Sequence, residues 1–138
     1  TPTLGLHQAR IARSGEEATL ICYGPMVDTC VEAAKEASQE GRKLEVIDVR
    51  SLSPLDMATV YESVRRTTRA IVVQEAPRTQ GVGAEIAARL GEELYYVMEA
   101  PVLRVTGWST PYPPAKAEGE HIPDVDRILD AVDRSLAF

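Results

Sequence analysis

The residues able to do chemistry fall into small groups. Gly81-Val82-Gly83 is the most suggestive, because it follows a run of β-formers and opens a helical pattern. Glycines placed there let the main chain approach a dinucleotide pyrophosphate at a helix N-terminus. The full fingerprint needs a third small residue three positions after Gly83, and Ile86 stands there. Glu85 would add negative charge beside any phosphate, so close helix–strand packing explains both glycines better. Glu75 could serve as a general base, with Asp48 and Asp56 as partners. No nucleophile, oxyanion hole or metal-ligand spacing completes such a site, which leaves capping and interface hydrogen bonds as the other roles for these acids. Arg65, Arg66 and Arg69 suit either a phosphate or the negative end of a helix.

Cys22 and Cys30 read as buried free thiols of a reducing compartment, being too few for a disulfide framework. His7 and His121 lack a second ligand at metal spacing and read as surface or loop residues. Trp108 and Tyr112 lie among prolines, where rigid aromatics suit an interface loop or pack back onto their own domain. From the residues alone no active site is complete, which favours an assembly or partner-binding role. The 138 residues carry a net charge of −6, which argues against nucleic acid or an anionic membrane surface as partner. No apolar run approaches the roughly 20 residues that span a bilayer. The first fifteen residues contain no apolar signal core, and without an initiating Met the chain reads as part of a longer one.

Certain elements must position these groups. Residues 1–17 read as an opening segment in which Ala9 to Arg13 suits an edge strand or an arm lying on a neighbour, and residues 18–138 as one domain. Ala18 to Cys22 and Leu44 to Val49 read as buried strands. Between them, Met26 to Glu40 is a helix with Met26, Val27, Cys30, Val31, Ala34 and Ala37 inward, capped by Gly41. Ser53 is the expected N-cap of a second helix, with Pro54 at its first position and Met57, Val60, Tyr61 and Val64 inward. Ile71 to Val73 is a strand covered on both faces, and Gln74 to Gln80 a polar turn that Pro77 breaks. Val82, Ile86 and Leu90 mark the next helix, Val102 to Val105 another strand, and Pro123-Asp124 the start of a last helix bearing Val125, Ile128, Leu129, Val132 and Leu136. Alternating strands and helices predict a mostly parallel sheet with helices on both faces.

Five segments in order, VIDVRSLSPLD (46–56), QEAPRTQGVGAEIAARL (74–90), EAPVLRVTG (99–107), TPYPPAK (110–116) and IPDVDRILDAV (122–132), resemble the C-terminal domain of the β subunit of 2-oxo acid dehydrogenase E1 components. That domain is of the transketolase C-terminal class. The resemblance implies a three-layer α/β/α fold with a mostly parallel five-stranded sheet and one antiparallel strand. It implies a parent oxidoreductase that uses thiamine diphosphate with Mg²⁺ to decarboxylate a 2-oxo acid and acylate the lipoyl group of E2. The diphosphate and Mg²⁺ belong to the α subunit in that family, and the catalytic glutamate and histidine to the preceding β domain. No catalytic, cofactor-binding or metal residue is therefore assigned in this chain, which alone is expected to be inactive. What the resemblance assigns is docking: Glu99 and the terminal carboxylate of Phe138 would receive cations of the E2 peripheral-subunit-binding domain. The E1 α subunit and a second β subunit are the other implied partners, and the compartment is the bacterial cytoplasm or, in a eukaryote, the mitochondrial matrix. EAPRT (75–79) resembles branched-chain (3-methyl-2-oxobutanoate) enzymes, with pyruvate dehydrogenase E1 as the alternative. Ser109 departs from the Asp of many relatives before Thr110-Pro111. A transketolase or deoxyxylulose-phosphate synthase domain, or a free-standing nucleotide-binding domain, are the remaining readings.

Overall fold

The computed structural model describes residues 5–77, 81–107 and 123–138. Their elements run β1 (Arg10–Arg13), β2 (Ala18–Cys22), α1 (Met26–Gln39), β3 (Leu44–Asp48), α2 (Met57–Thr67), β4 (Ala70–Pro77), α3 (Val82–Leu94), β5 (Leu103–Gly107) and α4 (Val125–Leu136). All five residues of β2 are buried on both faces, as a central strand under two helix layers requires. The sheet order is β1-β3-β2-β4-β5. β3 and β4 flank β2 in parallel, β5 continues in parallel beside β4, and β1 alone runs antiparallel, against β3. The expected three-layer α/β/α architecture is therefore present.

Alternation along the strands divides the core. Leu20, Cys22, Val46, Ile71, Val73 and Val105 face α1 and α4, where Cys30, Ala34, Ile128 and Val132 close over them. Ile21, Ile47 and Val72 face α2 and α3, packing on Val60, Val64, Ile86 and Leu90. Both cysteines are buried free thiols in the first of these layers. A hydrogen bond with Cys30, then burial, pushes the Cys22 thiol far above its ordinary range.

Three local expectations are corrected. The cap of α2 is Asp56, not Ser53: its carboxylate accepts the N–H of Thr59 and, from outside the helix, the N–H of Ala9. One side chain thus starts a helix and pins the segment leading into β1. Second, β4 does not stop at Val73 but continues through Gln74, Glu75 and Ala76 to Pro77. Hydrophobicity lost the strand at Gln74 because the buried residue there is an amide. Pro77 is tolerated because pairing with β2 ends at Cys22 and Val73, and the register with β5 shifts between Val73 and Pro77. Third, β5 spans Leu103–Gly107, displaced towards the C-terminus from the expected Val102 to Val105.

Candidate functional site

Two ends of the sheet carry the candidate groups. At the carboxyl ends of the parallel strands lie Asp48, Asp56, Glu75 and the glycine pair. Asp48 accepts the N–H of Arg50 at 3.0 Å and sits 3.6 Å from Arg10. Burial pushes the Asp56 carboxyl up, but its bonds from Thr59 and Ala9 outweigh that and hold it below the ordinary value. Glu75 lies near Tyr23, whose phenol is pushed up by burial and by that negative charge. The three acids therefore answer to three different sets of neighbours and do not form an acid–base pair.

The glycine pair is explained by Gln74. This side chain is wholly buried, and its Oε1 accepts the N–H of Gly83 at 2.6 Å. A Cβ on Gly81 would stand 2.1 Å from the Gln74 amide nitrogen, and one on Gly83 2.6 Å from its oxygen. The space that a phosphate-binding loop keeps open is filled here by an amide of the chain itself. The expected close helix–strand packing is thus present, with a polar filler that hydrophobic pattern could not reveal. Its signal was a lone Gln directly after three β-formers. Among the described residues no group of three or more His, Cys, Asp or Glu could hold a metal ion, and no helix is long and apolar enough to cross a membrane.

At the amino ends of the strands the arginines separate. Arg65 lies 3.6 Å from Glu93 and over the Tyr61 ring. Arg66 reaches the buried carboxylate of Glu45 at 2.8 Å, beside a hydroxyl chain of Ser63, Thr19 and Thr67. Arg69, beyond the end of α2, takes a third direction. Its Nη1 donates to Glu99 Oε2 at 2.9 Å, its Nε to the Ser135 carbonyl at 3.0 Å and its Nη2 to a terminal carboxylate oxygen of Phe138 at 3.3 Å. One guanidinium thus gathers the end of α2, the α3–β5 connection and the end of α4. Sequence reasoning missed this by treating three arginines as one cluster; the available signal was a cation lying past the helix and directly before a buried strand.

The structure brings together the two residues singled out for docking. Glu99 and Phe138 share Arg69 as a neighbour. The Glu99 side chain is 61% exposed against 16% for Arg69. A hydrogen bond from the Thr68 hydroxyl, then the Arg69 charge, hold the Glu99 carboxyl below its ordinary value, so it stays ionised near neutrality. Glu99 itself helps line a cavity of about 870 Å³, with Ala87, Gly91, Tyr95, Tyr96 and Met98 and the following residues Ala100 to Val102. Tyr96 is 98% exposed and stacks edge-on against Tyr95. The other interface candidates, Trp108 and Tyr112, with the loop from Thr110 to Pro113, lie outside the described residues.

Comparison with known proteins places this geometry in a family. The family described as "Transketolase, C-terminal domain" matches residues 7–128. The chain is 54% identical over 135 residues to a pyruvate dehydrogenase E1 component subunit beta of Leifsonia xyli, covering 98% of this chain and 40% of that protein. It is 48% identical over 136 residues to a 3-methyl-2-oxobutanoate dehydrogenase subunit beta of Mycobacterium tuberculosis, covering 98% and 38%. It therefore spans about two fifths of the length of these relatives. Among solved structures it is similar to a split gene transketolase described as an inactive beta4 tetramer, with a TM-score of 0.84, 26% identity and coverage of 97% of this chain and 43% of the other. With the fold, the strand order and the family match in agreement, the chain belongs to the transketolase C-terminal domain family.

Proposed function

We propose that this chain is the C-terminal domain of the β subunit of a thiamine diphosphate-dependent 2-oxo acid dehydrogenase, and that it serves subunit assembly and E2 docking. The observation that carries this reading is the gathering of Glu99 and Phe138 around Arg69. An exposed carboxylate held below its ordinary pKa is a ready acceptor for a lysine or arginine of a basic partner. The similarity to E1 β subunits supports a heteromeric parent with an α subunit and a second β subunit. The cavity with its exposed tyrosines is partly lined by Glu99, where an apolar contact would adjoin the charged one.

The parent reaction is the decarboxylation of a 2-oxo acid and transfer of the acyl group to lipoyl-E2, for which thiamine diphosphate with Mg²⁺ supplies the carbanion chemistry. This domain's share is to hold the acceptor component within reach. EAPRT at 75–79 inclines the acyl substrate to the branched-chain class, while the relatives include both substrate classes. The similarity to a split gene transketolase favours a second reading, the same domain of a transketolase.

Calorimetry of the assembled α and β subunits against a cognate E2 peripheral-subunit-binding domain tests the first reading. Micromolar or tighter binding is expected, weakened at least about tenfold by Glu99→Ala and again by removal of Phe138. Unchanged affinity in both variants would overturn it. Turnover of pyruvate against 3-methyl-2-oxobutanoate decides the acyl class, and turnover of sugar phosphates instead would favour the transketolase reading.

A further inference from the structure

We infer that Arg69 is the positioning residue of the docking patch, fixing Glu99 so that one carboxylate oxygen is held and the other is offered. The inference rests on the docking role of Glu99 proposed above. Both side-chain bonds that Glu99 receives, from the Thr68 hydroxyl and from Arg69 Nη1, fall on Oε2. Among the described residues nothing donates to Oε1, and the side chain is mostly exposed. Arg69 is itself fixed, being largely covered and tied through Nε to the end of α4. The planar fork of a guanidinium can hold the Glu99 carboxylate, the Ser135 carbonyl and the terminal carboxylate of Phe138 at once, which an ammonium cannot do in the same geometry.

A second, independent observation marks the same spot. Thr68 has φ +62°, a left-handed conformation that a β-branched residue rarely adopts. Its carbonyl accepts the N–H of Glu99 at 3.0 Å while its hydroxyl bonds the Glu99 carboxylate. The strained residue therefore grips Glu99 by main chain and side chain together, and such strain concentrates where a site must be preorganised.

The sign of the Arg69 effect separates positioning from plain charge. The partner is basic, so a guanidinium in the patch repels it, and on charge alone Arg69→Gln should tighten docking. Positioning predicts the reverse. In the assembled E1 protein, titrated with the E2 peripheral-subunit-binding domain, Arg69→Gln is expected to weaken binding about tenfold or more. Arg69→Lys, keeping the charge but not the fork, is expected to fall between. Thr68→Gly relieves the left-handed strain and removes the hydroxyl, so its thermal midpoint should hold or rise while binding weakens about threefold. In a Glu99→Ala background Thr68→Gly should not matter further, and Arg69→Gln should act only through its remaining contact with Phe138. Tighter or unchanged binding by Arg69→Gln, with Glu99→Ala still damaging, overturns positioning and leaves the docking reading standing. No effect of Glu99→Ala removes Glu99 from docking, and positioning with it, and the docking reading itself falls if removal of Phe138 has no effect either. If Arg69→Gln fails to fold, Thr68→Gly decides, and unchanged affinity there overturns the inference.

Discussion

At the carboxyl ends of the parallel strands, Asp56, Gln74 and Asp124 each accept a main-chain N–H at the start of the neighbouring helix, from Thr59, Gly83 and Arg127. At the amino ends, Glu99 uses one oxygen on Thr68 and Arg69 and leaves most of its side chain in solvent. The same chemical groups thus do opposite work at the two ends. Open α/β sheets usually bind ligands at the carboxyl ends, because helix N-termini there point donors at an incoming anion. Here the starts of α2, α3 and α4 are answered by the chain's own side chains, and only the start of α1, at Pro25, has no side-chain cap among the described residues. A surface whose polar groups are already satisfied contributes to stability, and a partner must find its partly used groups elsewhere.

If that contrast holds, changes at the carboxyl end should cost stability and spare docking. The largest effect is expected from Gly83→Ala. Overpacking together with displacement of the buried Gln74 amide costs about 3 kcal/mol, and the helix propensity of alanine returns about 1 kcal/mol. A net loss of about 2 kcal/mol in urea unfolding, with E2 affinity unchanged, is the expected result. A loss of docking at constant stability would break the comparison by making the glycine turn a binding element. Asp56→Ala comes next: it removes both the α2 cap and the tie to Ala9, for about 1.5 kcal/mol by the same measurement.

The smallest effect sharpens the contrast through pH. The folded Asp56 carboxyl lies below its ordinary value of 3.8. Its contribution is therefore complete above that value and is lost as the pH falls through the lower folded one. The stability gap between the parent and Asp56→Ala should stay constant from pH 7 to about 5 and narrow only in stronger acid. A gap already closing near pH 6 would mean that a different group answers for the cap.

Much of the architecture was legible because it depends on pattern. The consecutive apolar residues Ile71, Val72 and Val73 read as a strand covered on both faces, and they face α1 and α4 through Ile71 and Val73 and α2 and α3 through Val72. The spacing of Met26, Val27, Cys30, Ala34 and Ala37 fixed the inner face of α1 in the same way. The α2 cap was misplaced by three residues, since Ser53 and Asp56 are both good caps and only the position of Ala9 distinguishes them. Gln74 was misread as a turn residue because its burial depends on two glycines seven and nine positions later.

What the sequence by itself determined is the layer order of the fold, its family and the acidic identity of Glu99. The layer order and the acid follow from periodicity and residue type, which are local properties, and the family from the resemblance of five segments taken in order. What only the tertiary structure decided is which charges meet. Arg65, Arg66 and Arg69 are near neighbours in the chain, yet their guanidinium groups find Glu93, Glu45 and Glu99, and the last of these contacts also draws in Phe138. A long cationic side chain reaches several possible acceptors, and the choice among them is made by chain segments brought close only by folding.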